Sequence, residues 1–361
     1  MTMKQRGKYV QKAVIWLSVM ALGFAICFGI GAERWADWGR GAAVLSAGML
    51  QPQTTTSTSV STPDTYVSGM IDTDDRYAAE SDAPAIHTNV SATVPTQSKK
   101  SGKVVTEQLS SGKYVVGKVA IKNSADKAID IAKQFSILPK IKVLNNQKPQ
   151  VLILHTHTTE CYLDYDAGFY NHSDPTRTRD AAKNTVAVGE AIAKQLRDAG
   201  IGVIHDTTEH DYPQYNGAYT RSLQTAQRII KQNPTIVAVL DIHRDSIMRT
   251  QNEKIKPTVT INGKKAAQLM ILTSVSNTKS VPHPNWQQNL RFALQLQNRL
   301  NTTYEGLMRP LNLVDARYNQ HLAPASLLLE VGSEVNTLEE ALYAGELFGE
   351  QFAKQMLALQ T

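Results

Sequence analysis

Cysteine is nearly absent: the chain has two in 361 residues, Cys27 and Cys161. Cys27 falls inside an apolar run, so the remainder holds a single thiol and no intramolecular disulfide. A basic patch interleaved with aromatics, of the kind that grips nucleic acid, is also missing. Lys and Arg exceed Asp and Glu by 38 − 32 = 6. Four of those charges (Lys4, Arg6, Lys8 and Lys12) sit in an acid-free tail, and the mild excess left over argues against a nucleic-acid partner. No internal repeat is visible.

What is present begins with an uncharged run, residues 13–32 (AVIWLSVMALGFAICFGIGA). It matches the roughly 20 residues that span a bilayer and exceeds the about 7 to 15 of a signal-peptide core, which favours a retained anchor. Gly29, Gly31 and Ala32 at its end leave cleavage open. The basic tail before it predicts a cytoplasmic N-terminus and an exported remainder in the cell membrane.

Residues 33–112 read as a flexible tether. The polar tract QPQTTTSTSVST at 51–62 and the run QSKKSGK at 97–103 bury too little apolar surface to offset ordering entropy. About 80 such residues reach roughly 50 Å root-mean-square. A stalk with no function of its own fits the composition equally well. The domain plan is therefore a tail (1–12), a transmembrane helix (13–32), a linker (33–112) and one catalytic domain (113–361).

Within that domain strands and helices alternate. Strands are expected at 114–121, 151–154, 201–204, 236–240, 311–314 and 326–329, and helices at 125–135, from 183, at 219–231, 284–300 and 338–359. Asn262-Gly263 reads as a type I′ turn joining 258–261 to 267–273. The pattern predicts a three-layer α/β domain with a mostly parallel central sheet.

The stretch VLILHTHTTE (151–160) is its focus: a buried strand that stops at two imidazoles and a carboxylate. Ligands gather at the carboxyl ends of such strands. Two further strands run into Asp241-Ile242-His243-Arg244-Asp245 and into Glu330. His157, Glu160 and His243 make a zinc ligand set with an open fourth position, and Glu330 is left to handle the proton of a zinc-activated water. His155 competes with His157 for the first ligand position, or serves as a donor behind it. Duller readings stand beside these. Each histidine is a satisfied loop residue, Glu330 pairs with Arg244 or caps the last helix, and Asp241, Arg244 and Asp245 form a surface ion cluster. Cys161 reads as a small packed side chain. Of the other histidines, His205 and His210 are the best placed to line a pocket, and His172, His283 and His321 are left as surface or core.

Several long motifs stand in order: HTHTTECY (155–162), HDTTEHD (205–211), DIHRD (241–245), His283-Pro284-Asn285-Trp286 with Asn289, and Tyr318-Asn319-Gln320 leading to Leu329-Glu330-Val331-Gly332. Over about residues 148–358 the chain resembles the stage II sporulation protein P family, and the apolar run and polar linker match that layout. The resemblance implies a zinc-dependent N-acetylmuramoyl-L-alanine amidase, with endopeptidase activity also associated with the family. It implies a peptidoglycan substrate at the forespore septum during engulfment, and stage II sporulation proteins D and M as partners. Carried over, His157, Glu160 and His243 bind Zn2+, and Glu330 is the catalytic carboxylate. Arg244 then holds a stem-peptide carboxylate or the oxyanion. Cys161 stands where Ala or Ser is expected. The rival readings are a zinc peptidase cutting stem peptides and a wall-binding scaffold without activity.

Overall fold

The computed structural model describes residues 93–109 and 112–360. The basic tail, the apolar run and the tether up to residue 92 lie outside the described residues. Among the described residues no helix is long and apolar enough to cross a membrane.

In chain order the strands are β1 (Ser101–Glu107), β2 (Ile121–Asn123), β3 (Pro149–Leu154), β4 (Phe169–Asn171), β5 (Gly202–His205), β6 (Ala238–Asp245), β7 (Met248–Thr250), β8 (Glu253–Ile261), β9 (Lys264–Ala267), β10 (Leu269–Ser274), β11 (Leu311–Val314) and β12 (Ala325–Ser333). The helices are α1 (Ile131–Ser136), α2 (Thr185–Asp198), α3 (Ala218–Gln232), α4 (Trp286–Thr303) and α5 (Leu338–Leu357). Seven strands form the main sheet in the order β2-β11-β10-β12-β6-β3-β5. Every neighbouring pair in it is parallel except β10 with β12. A second sheet runs β4-β1-β8-β7, with β9 paired to β8.

Alternation along the strands sorts side chains between two faces. Val151, Ile153, Leu240, Ile242, Leu327 and Leu329 join the large core, together with buried residues of α2, α4 and α5. Leu152, Leu154 and Val239 face the other way, onto Ala226 and Ile229 of α3. Three layers are therefore present over β3 and β6. Towards β10 and β11, among the described residues, no α-helix covers the second face: Met270, Leu272, Val314 and Leu328 pack with Tyr318 from the loop after β11.

The differences from the sequence expectation have physical causes. β6 and β12 do not stop where polar residues begin but continue through His243 and Glu330, which are paired neighbours in the sheet. Those residues are polar because their face opens onto a cavity, while their alternates stay in the core. Residues 101–107, assigned to the tether, form β1, whose backbone is held by β8 on one side and β4 on the other. Hydrogen bonding and the burial of Val104 supply what composition lacks. The expected strand at 114–121 reduces to β2 and a lone bridge between Val116 and Val119. The helix at 125–135 shrinks to α1, capped by Asp130. The Asn262-Gly263 hairpin is present, with φ of 51° and 77°, and joins β8 to β9. Gln268 ends it: its fully buried side chain holds the Leu109 and Gly306 backbones while the chain crosses to the main sheet as β10.

Candidate active site

The loop leaving β3 is polar yet buried, and each threonine in it has a named partner. Thr156 donates from N–H (2.8 Å) and Oγ1 (2.6 Å) to the two oxygens of Asp241. Thr158 Oγ1 contacts the carbonyls of His155 (2.8 Å) and Thr208 (2.9 Å). Thr159 donates to Asp211 through N–H and Oγ1. The Glu160 carbonyl accepts from Thr185 N–H at the start of α2, and Glu160 N–H donates to the His157 carbonyl. With so many ties the loop has one geometry, and that geometry aims His157 and Glu160.

His157, Glu160, His243 and Glu330 all line one cavity of about 350 Å³. The rings of His157 and His243 are 5.3 Å apart, and Glu160 Oε2 lies 3.6 Å from His243 Nδ1. His243 Nε2 is 3.0 Å from Asp241 Oδ1, an ion-pair contact that misses hydrogen-bond geometry. Tyr215 stacks on His157 with its hydroxyl 3.1 Å from Nε2, while His157 Nδ1, although buried, has no hydrogen-bond partner.

Electrostatics divides these groups. Burial holds the His157 imidazole down at about 4, so it is neutral at pH 7. Burial pushes Glu160 up, but Arg244 and the nearby His243 outweigh it and keep the carboxylate ionised. His243 goes the other way: burial opposes its charge, yet Asp241 and Glu160 on either side raise it well above the usual imidazole value. Burial, reinforced by Asp245, lifts Glu330 to about 8, and its Oε2 has no hydrogen-bond partner.

Can these residues hold zinc? Two imidazoles and a carboxylate are the right donors. Each imidazole has one nitrogen near a protein oxygen, Tyr215 or Asp241, as ligating histidines do. The buried, partnerless Nδ1 of His157 is the kind of atom a cation would satisfy. Two donors about 2.0–2.1 Å from one tetrahedral zinc are about 3.3 Å apart, close to the 3.6 Å between Glu160 and His243. Among the described residues no three His, Cys, Asp or Glu side chains are grouped tightly enough to hold an ion as they stand. The donor chemistry fits.

His155 is not on the cavity. It is fully buried beneath the loop, with Nδ1 3.2 Å from the Ile242 carbonyl and Nε2 2.9 Å from His205 Nε2. His205 Nδ1 in turn meets Glu190 at 2.9 Å. Gly189 makes room for this pair, because a Cβ there would lie 2.7 Å from both rings. His205 and His210, expected to line the pocket, therefore do not. His210 is buried with Nδ1 on the His155 carbonyl and Nε2 near Thr225. Arg244 borders the cavity, but its guanidinium donates to the carbonyls of Cys161 (3.1 Å) and Thr176 (2.7 Å), and its N–H donates to Glu160. It holds the loop together and stabilises the Glu160 charge. Cys161 is buried against the Pro175 carbonyl, with its thiol pushed up to about 11 by burial, so it is no nucleophile at neutral pH.

Sequence reasoning missed Arg177, Tyr215, Tyr219 and Asp211. Arg177 bridges Asp211 (2.5 Å) and Glu160 (3.6 Å) and lies over the Tyr215 ring. None has a spacing signal; only Asp211 fell within a motif read from the sequence.

Fold and cleft together define a mixed α/β protein with a buried histidine–carboxylate centre on its sheet. The family profile described as Stage II sporulation protein P (SpoIIP) matches residues 62–353, and the chain belongs to that family. It is similar to "Stage II sporulation protein P" of Bacillus subtilis (strain 168), 28% identical over 226 residues, which are 58% of this chain. The chain spans 53% of the length of that curated relative. Two solved structures also resemble it at 14% identity. One is the N-acetylmuramyl-L-alanine amidase Ami1 from Mycobacterium smegmatis, with a TM-score of 0.34 over 60% of this chain and 98% of that one. The other is the N-acetylmuramoyl-L-alanine amidase from Clostridium difficile 630, with 0.33 over 59% and 97%.

Proposed function

We propose that this chain is a zinc-dependent hydrolase of peptidoglycan that cuts the amide between N-acetylmuramic acid and L-alanine. The observation that carries the reading is the meeting of His157, Glu160, His243 and Glu330 in one cavity, although they come from distant parts of the sequence. His157, Glu160 and His243 would hold the ion. Zinc would supply Lewis acidity there, making water acidic enough to attack an amide at neutral pH. Glu330 takes the proton of the attacking water and returns it to the leaving nitrogen. Arg244 keeps Glu160 ionised and the loop closed. Asp241 orients the His243 ring.

The setting belongs to the same proposal. The apolar run 13–32 anchors the protein in the cell membrane, and the domain works outside it at the forespore septum during engulfment. Stage II sporulation proteins D and M are its partners. The apolar run, the basic tail and membership of the family support this reading.

The test is digestion of purified peptidoglycan by the full chain with zinc, with products read by mass spectrometry. Intact stem peptides freed from the lactoyl group are expected, and Glu330→Gln should lower the rate by about 10²–10⁴-fold. Shortened peptides would instead make the protein a stem-peptide peptidase. Binding without any product would make it a scaffold, and full activity in Glu330→Gln would remove the assigned role.

A further inference from the structure

Two motifs have no part in the ligand set: Tyr318-Asn319-Gln320, and His283-Pro284-Asn285-Trp286 with Asn289. In the fold they meet. Gln320 is buried and grips the end of β10: Oε1 accepts from Ser274 N–H (2.8 Å) and Nε2 donates to the Leu272 carbonyl (3.0 Å). Its own carbonyl accepts from Asn289 Nδ2 (2.7 Å) and lies 3.1 Å from His283 Nε2. Asn319 reaches the opposite way, with Nδ2 donating to the Tyr219 carbonyl (2.8 Å) and Ser222 Oγ (3.1 Å) on α3. The two residues after Tyr318 are thus fastened to the sheet and to a helix.

What is fastened is an unusual backbone. Tyr318 and Asn319 both have positive φ, 45° and 57°. Asparagine tolerates that region; a tyrosine adopts it only where its surroundings impose it, and such residues cluster at functional sites. The conformation lays the Tyr318 ring on the apolar cluster of Leu272 and Leu328, 5.5 Å from the Tyr219 ring. Leu328 and Glu330 lie two apart on β12 and share a face. Tyr318 accordingly borders the same cavity as His243 and Glu330. Among the described residues no group takes up its hydroxyl in a hydrogen bond. Burial and the neighbouring Glu330 raise its pKa, so the phenol keeps its proton at neutral pH.

We propose that Tyr318 is a catalytic residue whose hydroxyl donates a hydrogen bond to the carbonyl oxygen of the amide being cut. When water adds to the carbonyl carbon, the C=O π pair moves onto oxygen, and the phenol meets the charge that appears there. The pair returns as the C–N bond breaks. Nitrogen leaves with the proton that Glu330 took from water, and Tyr318 retains its own. The inference rests on reading the site as an amide hydrolase but is indifferent to which amide is cut.

Tyr318→Phe in the full chain keeps the ring and deletes the donor. Against a soluble muropeptide with zinc, kcat should fall about 10²–10³-fold, as for loss of one oxyanion donor. KM should stay within about twofold, and bound zinc and the thermal midpoint should be unchanged. Asn319→Gly preserves the left-handed backbone and releases the clamp; it too should lower kcat with zinc content intact. An unchanged kcat in Tyr318→Phe overturns the proposal, as does a loss confined to KM or one that tracks lost zinc. If wild-type products are shortened peptides, the muramoyl-alanine assignment fails while the Phe variant still decides the role of Tyr318. A wild type that cuts no amide removes both.

Discussion

Asp241 touches none of the cavity's candidate ligands except His243, yet both of its oxygens are engaged by Thr156, so it cannot swing away. Replacing it by Asn keeps the shape and removes the charge facing the imidazole. Loss of an outer partner of this kind costs about 10–100-fold in metal affinity. Asp241→Asn should weaken zinc binding by that factor, measured by competition with a chelator rather than by turnover. Gly189→Ala probes the layer beneath. The added methyl meets the rings of His155 and His205, and overpacking of this type costs about 1–3 kcal/mol. Urea denaturation should register the loss, and a midpoint equal to wild type would mean that the histidine pair moves aside freely. Residue types announced the metal-capable side chains because imidazole and carboxylate are rare on apolar strands. Tyr215, Tyr219 and Arg177 gave no such notice. An aromatic on a helix flank and an arginine in a loop are commonplace, and only folding shows that they surround His157.

At the scale of elements, hydrophobic periodicity located the long helices and the central strands, and it failed in two recognisable ways. Where β6 and β12 turn one face to the cavity, polarity looks like an ending although the hydrogen-bonded ladder goes on. Where β1 enters the second sheet, a polar segment looks like tether although β8 and β4 pair with its backbone. The irregular end of β12 has its own requirement. Gly332 has φ 63°, and a Cβ there would lie 2.6 Å from Asn336 Oδ1. Just beyond it Thr337 caps α5, with Glu340 reaching back to the Thr337 N–H. Thr337→Ala should destabilise the domain by about 1 kcal/mol, read by denaturant titration, with no change in the cavity.

Across the whole molecule, His283 makes a contribution to stability that is lost in acid. His283 is fully buried, and burial holds it down at about 4, whereas in an unfolded chain it titrates near its ordinary value. Between about pH 6.5 and 4 the unfolded state therefore takes up a proton that the folded state refuses, so stability falls as pH falls through that window and levels off below it. The contribution is as much as roughly 3 kcal/mol for this one imidazole. With thermal midpoints recorded from pH 7.5 to 4, the full chain should lose stability relative to His283→Gln as the pH falls. A profile unchanged by that substitution would place the acid sensitivity elsewhere.

The first described strand has a mechanical meaning as well. β1 is the gateway through which the N-terminal stretch joins the domain, zipped in parallel to β8 and flanked by β4. Traction arriving from that side and running along the strand loads those hydrogen bonds together, in shear, instead of peeling them one by one. The domain is thus fitted with a handle that resists tugging before the main sheet is disturbed.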